Sequence, residues 1–198
     1  MPLFAATIFL SAALLFLVQP MAGKMLLPLA GGSSAVWNTC MVSFQAALLG
    51  GYLYSHVVTT RLKLAHQVVV HALLSLLAIG ALFTEAPTSP PAEETTLGLT
   101  LWLIRTLAVT VGLPFFAVST TGPLLQRWFS RTDDPRAKDP YFLYAASNIG
   151  SCLGLLGYPF LLEPYFNIAG QRVFWAGGFV VLACLLVACG VSAVRRQA

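Results

Sequence analysis

VFWAGGFVVLACLLVACGVSAV, residues 173–194, runs for twenty-two positions without a charged side chain and is followed at once by Arg195 and Arg196. At 1.5 Å per residue such a segment is about 33 Å long as a helix, enough to cross a hydrocarbon core of about 30 Å. The rest of the chain has the same character. Hydrophobic residues make up 58% of it, charged residues only 9%, and the mean hydropathy is +0.80. A soluble domain carries about a quarter charged residues to hydrate its surface. Eleven basic and seven acidic side chains in 198 residues cannot do that, so the chain must be solvated mainly by lipid or by other protein.

Outward from that segment, the apolar runs and their polar breaks predict an all-α polytopic membrane protein, a single domain of six transmembrane helices. The spans fall at about 3–22, 35–56, 64–83, 106–126, 141–162 and 173–194. The first reads as a retained helix rather than a signal sequence, because nothing positive precedes Lys24 and no small-residue cleavage site follows cleanly. A Gly/Pro-rich turn is expected over 24–34. The segment 85–96, with Pro87, Pro90, Pro91, Glu93 and Glu94, is too polar to be membrane helix. The fourth apolar run, 97–126, would be about 45 Å long as a helix, more than a bilayer core needs. A span of 106–126 puts Arg105 at an interface beside Trp102 and leaves 97–104 in the interface or against protein. The other reading of Arg105 is a counter-ion within the membrane, for an anionic ligand or for Glu163.

With six spans, Arg61, Lys63, Arg127, Arg131, Arg136, Lys138, Arg195 and Arg196 share one side, and only Lys24 and Arg172 lie on the other with Glu85, Glu93, Glu94 and Glu163. Eight against two puts both termini in the cytoplasm. The basic residues are spread over loops, which is topology and not a nucleic-acid surface.

Gln19, Asn38, Gln45 and Asn148 are amides in or near spans. With Arg105 they either line a polar path or bond between helices. Ala146, Gly150 and Gly154 recur every four residues, followed by Gly157, and make a small-residue face for close helix packing; Ala46/Gly50 and Ala47/Gly51 repeat the spacing on the second span. Cys40, Cys152, Cys184 and Cys189 lack metal or redox spacing and are expected to be small buried apolar side chains. His56, His66 and His71 do not converge as haem ligands. Pro20, Pro28, Pro114, Pro123 and Pro159 lie in or at the ends of spans, where membrane helices tolerate kinks. There is no phosphate loop, HExxH, GxSxG or paired-carboxylate pattern. No catalytic, metal or cofactor residue is predicted, while lipid, quinone or pigment on the apolar faces is left open.

Three stretches occur together in order: QPMAGKMLLPLAGGSSAVWNTC (19–40), VGLPFFAVSTTGPLLQRWF (111–129) and DPYFLYAASNIGSCLGLLGYPFLLE (139–163). They resemble the membrane half of bacterial fused major facilitator/spermidine synthase-like proteins. The resemblance implies one six-helix half of a facilitator bundle in a bacterial inner membrane. Family proteins continue into further helices and a Rossmann-type aminopropyltransferase-like domain. This sequence has no counterpart of that domain, so synthase activity is not carried over. The facilitator signature Gly-x-Leu-Ala-Asp-Arg is replaced by Gly51-Tyr52-Leu53-Tyr54-Ser55-His56, which keeps the glycine and leucine but lacks the acid. Two functions are therefore expected. One is a non-enzymatic accessory or structural subunit of a larger membrane complex, such as a respiratory or photosynthetic one. The alternative is a half-size transporter that dimerises around a polar cavity.

Overall fold

The computed structural model describes residues 2–84 and 95–196. Within them the chain is helical, with no extended strand. The helices are α1 (Pro2–Ala30), α2 (Ser34–Arg61), α3 (Leu64–Ala81), α4 (Thr96–Leu107), α5 (Leu113–Phe129), α6 (Tyr141–Gly157) and α7 (Ile168–Arg195). A π-helical segment, Ala108–Gly112, joins α4 to α5, and a second, Tyr158–Leu162, extends α6. Five helical runs are long and apolar enough to cross a membrane: Pro2–Ala30, Leu64–Ala81, Thr96–Phe129, Tyr141–Leu162 and Ile168–Arg195. The exception is α2, 28 residues long but diluted by Asn38, Thr39, Ser43, Gln45, Ser55 and His56.

Several boundaries differ from those expected. α1 does not stop for a turn at Lys24 but continues through Pro20 and Pro28 to Ala30. Each proline removes one backbone donor, and a packed helix survives that loss. What ends α1 is Gly31, which adopts φ 80° and donates its N–H to Leu27 O at 2.9 Å, the left-handed cap that glycine takes most readily. The run 97–104 is continuous with the span that follows it: Thr96–Phe129 is one 34-residue helical rod, about 51 Å long. Leu99, Trp102, Leu103 and Leu107 of its first part pack on the core. The π turns lie beside Pro114 and Pro159, where a missing N–H breaks the regular ladder. In the first, Thr84 Oγ1 donates to Val109 O at 3.0 Å from outside the helix; the i+5 donor to that carbonyl would be Pro114, which has no N–H.

Four helices lie side by side in the order α2, α5, α1, α6, and α3 and α7 pack behind α5 and α1. The strongest pairings map onto one another when α1, α2, α3 are exchanged for α5, α6, α7, although α5 also packs on α7 in a way that α1 and α3 do not match. α1 packs on α6 as α5 packs on α2, α1 on α7 as α5 on α3, and α1·α5 and α3·α7 are partner with partner. Small residues set each approach. A Cβ on Gly150 would collide with the backbone of Phe9, and one on Gly154 would come within 2.6 Å of Ala13 O. A Cβ on Gly51 would overlap the Ser119 hydroxyl, and one on Gly190 would come within 2.6 Å of the Val68 side chain. Gly157 has only its own helix's Leu161 nearby, at 3.8 Å, and Ala146 is a partly buried neighbour of the core.

Aromatic and backbone contacts bring the chain's two ends together. The Phe4 and Phe129 rings are 5.4 Å apart, Phe129 and Phe142 5.3 Å, and Asp133 N donates to Arg196 O at 3.3 Å. Arg131 Nη2 donates to Thr59 O at 3.1 Å, so the end of α2 is there too. This end therefore carries the eight basic residues of the charge argument. At the opposite end Lys24 pairs with Glu163 at 3.0 Å, which removes Glu163 as the expected partner of Arg105. Glu85, Glu93 and Glu94 lie outside the described residues. Of the four cysteines, Cys40 and Cys189 are buried, but Cys152 and Cys184 are exposed, a correction to the expectation that all four are buried. An outward-facing thiol is nearly apolar and costs little against lipid.

Gly154→Leu is expected to destabilise the protein by about 1–3 kcal/mol, because the α1–α6 backbones would have to separate. Gly157→Leu should stay within about 0.5 kcal/mol of the parent. Thermal midpoints in detergent, followed by the monodisperse fraction on size exclusion, distinguish the two.

Candidate functional site: a hydroxyl-lined groove

Helices α1 and α5 form the floor of a groove whose walls are α2 and α6. Its cavity of about 190 Å³ is lined by Ser11, Leu15 and Phe16 of α1, Tyr52 of α2, Val118, Ser119, Gly122 and Pro123 of α5, and Ser147 and Ser151 of α6, with Ile8 and Ala12 completing the floor. Counting back from the basic end of each helix, these hydroxyls lie nine to ten residues in, with Ser147 at six. That is about 9–15 Å of helix, close to the middle of a bilayer core. Tyr52 and Pro123 also line a wider, more open cavity of about 420 Å³ at the basic end, together with Ser55, His56, Thr59, Thr60 and Arg127. The groove is thus a polar track from mid-helix to that end.

Most of its serine hydroxyls bond to backbone. Ser11 Oγ donates across to Val118 O at 3.3 Å, Ser119 Oγ to Phe116 O at 2.8 Å and Ser151 Oγ to Ser147 O at 3.0 Å. No imidazole or carboxylate lines the inner cavity to activate them. The arrangement suits water or a polar guest accepted through oxygen lone pairs, and it does not present a primed nucleophile.

The α2 wall and the α5 side of the floor are fixed from behind by a buried cluster. Trp128 Nε1 donates to Gln67 Oε1 at 2.9 Å, and Gln67 Nε2 donates to Leu62 O at 2.8 Å. His71, fully buried, lies edge-on to Trp128, with Thr120 Oγ1 3.5 Å from its ring nitrogens. Ser55 Oγ bonds both Gly51 O at 2.8 Å and Thr120 O at 3.2 Å, tying α2 to α5. Among the described residues no cluster of three His, Cys, Asp or Glu side chains could hold a metal ion.

The amides and arginine singled out in the sequence do not form this site. Gln19 Nε2 turns back to Leu15 O of its own helix at 3.5 Å. Arg105, Asn38, Gln45 and Asn148 are all exposed, and none of them lines the groove. Asn38, Gln45 and Tyr52 do recur every seven residues, so the two amides extend the Tyr52 face of α2 along the helix. Asn148 sits beside Ser147, one position round α6. The groove serines were missed because serine in a membrane helix usually bonds its own i−4 carbonyl. The available signal was their register: Ser147 and Ser151 are four apart and follow Ala146 and Gly150 by one position each.

No protein-family model, curated protein or solved structure matches the chain. The resemblance drawn from the sequence therefore rests on its three motifs, and two of these, 111–129 and 139–163, supply the α5 and α6 sides of the groove.

Trp128→Phe should cost about 1–3 kcal/mol by leaving Gln67 Oε1 buried without a donor, and Trp128→Phe with Gln67→Leu should recover part of that loss, as read by detergent melting. In a background with all four cysteines replaced, Ser147→Cys and Ser151→Cys are expected to react with a water-soluble maleimide at least about ten times faster than Leu153→Cys, which sits on an exposed apolar position. Equal rates would mean that the groove is not hydrated.

Proposed function

We propose that this chain is a non-enzymatic integral membrane subunit of a bacterial inner membrane, crossing it six times with both termini cytoplasmic, and that it works against a second membrane protein body laid over the α2–α5–α1–α6 face. The observation that carries this reading is the groove. Ser11, Tyr52, Ser119, Ser147 and Ser151 lie at mid-helix depth in a chain that exposes many Val, Leu, Ile and Phe side chains. A hydroxyl-lined groove at that depth is better met by another protein or a water-filled cavity than by lipid tails. The backbone-bonded serines favour a packing and lining role over catalysis. The eight basic residues near one end support the orientation, and the three motifs support kinship with a facilitator half. α2, the least apolar helix, fits a wall that contacts protein.

The second reading is a half-size transporter formed by two copies around the groove. It is favoured by the continuity of the inner cavity with the wider one at the basic end, which shares Tyr52 and Pro123 with it.

Native mass spectrometry of the chain extracted from its own membrane in mild detergent separates these readings. Unrelated membrane subunits at fixed stoichiometry are expected for the accessory role. A homodimer alone would support the transporter reading, and a bare monomer would overturn both. Reporter fusions at 62–63 and after residue 196 should report cytoplasm, and a fusion at Gly32 the opposite side; any other pattern would refute the six-span orientation.

A further inference from the structure

The wider cavity at the basic end has chemistry of its own. Tyr52, Ser55, His56, Thr59 and Thr60 form one side of it from the last turns of α2, and Pro123 and Arg127 form the other from the last turns of α5. Four residues on, Arg131 is anchored by its bond to Thr59 O. Burial, and then the neighbouring Arg127 charge, push the Arg131 pKa below the usual guanidinium value. Arg127 thus lines the cavity, and Arg131 is held at its wall residue Thr59. The ion pairs among the described residues are Lys24–Glu163 and Arg136–Asp134, and neither involves Arg127 or Arg131. An Arg pair with no carboxylate between them is stabilised by an anion, and guanidinium geometry suits the oxygens of a phosphate.

The hydroxyls narrow the ligand further. Thr59 Oγ1 donates to Ser55 O at 2.8 Å, Thr60 Oγ1 to His56 O at 2.8 Å, and Ser55 Oγ to Gly51 O and Thr120 O. Their hydrogens are committed, so they offer only lone pairs to a guest. A ligand that satisfies both halves of the site carries an anionic phosphate for Arg127 and a hydroxyl or ammonium donor for the threonine oxygens.

We infer that the α2–α5 cavity bounded by Arg127, His56, Thr59 and Thr60 is a binding site for a phosphate ester bearing a hydroxyl or amino group. Two sources share that chemistry: the headgroup of an anionic glycerophospholipid, and a soluble phosphate monoester. The site does not depend on which body covers the groove, because its residues all belong to this chain and lie at the basic end.

The test uses the delipidated full chain in a non-ionic detergent, with native mass spectrometry and melting temperature as readouts. Phosphatidylglycerol is the lipid probe, phosphatidylcholine its control, and glycerol phosphate the soluble probe. Phosphatidylglycerol is expected to be retained at least about ten times more than phosphatidylcholine. Arg127→Gln should abolish that preference, whereas Arg195→Gln with Arg196→Gln, at the same end but outside the cavity, should keep it. Protection by glycerol phosphate at millimolar concentration, lost in Arg127→Gln, would support the site with a soluble source. Equal retention of both lipids together with no effect of glycerol phosphate overturns the inference, as does loss of preference in the Arg195/Arg196 double variant to the same extent as in Arg127→Gln. Arg127 is exposed, so Arg127→Gln should keep the parent size-exclusion profile. If it does not, Thr59→Val and Thr60→Val take its place, with a fall in retention expected and unchanged retention overturning the inference.

Discussion

The contact between the backbones of α1 and α6 is the constraint on which the rest of the arrangement depends. In lipid there is no hydrophobic gain from pressing two apolar helices together, so association rests on close van der Waals packing and on hydrogen bonds. Gly150 and Gly154 let α6 approach until Phe9 and Ala13 of α1 occupy the space a side chain would take. Once α6 is seated there, Ser147 and Ser151 are brought beside Ser11 and the groove has one wall. The other wall is set the same way, with Gly51 of α2 against Ser119 of α5. A glycine thus stands at the wall–floor contact on both sides of the groove.

Behind this layer the helices are held by buried polar bonds as well as by shape. Trp128 to Gln67 joins α5 to α3, Trp175 Nε1 to Leu14 O at 2.9 Å joins α7 to α1, and Tyr158 OH to Gln171 Oε1 at 3.1 Å joins the end of α6 to the start of α7. Each satisfies a donor that would be costly to leave unpaired in an apolar surrounding. α3 and α7 are therefore fixed in register against the helices that form the groove.

Much of this was legible in the chain. The charge-free run 173–194 and its companions announced membrane helices, because a bilayer accepts few charges. The four-residue spacing of Ala146, Gly150 and Gly154 marked a close-packing face, although Gly157, next in the series, faces nothing but its own helix. Helix extents were less legible. The stretch 24–34 read as a Gly/Pro-rich turn, yet α1 runs through Pro28 to Ala30 and ends only where Gly31 turns left-handed. Asn38, Gln45, Arg105 and Asn148 were picked by polarity, but polarity does not say which face of a helix meets a neighbour.

The sequence by itself determined the class of this protein: helices long and apolar enough for a bilayer, basic residues grouped at alternate connections, and small residues ready for close contact. These are properties of local composition and spacing, and they need no knowledge of neighbours. The tertiary structure alone decided that five hydroxyls from four helices share one groove, that Lys24 and not Arg105 takes Glu163, and that Arg127 lines a cavity whose wall residue Thr59 holds Arg131. Those facts depend on which residues, far apart in the chain, meet once the helices pack, and no local pattern encodes that choice.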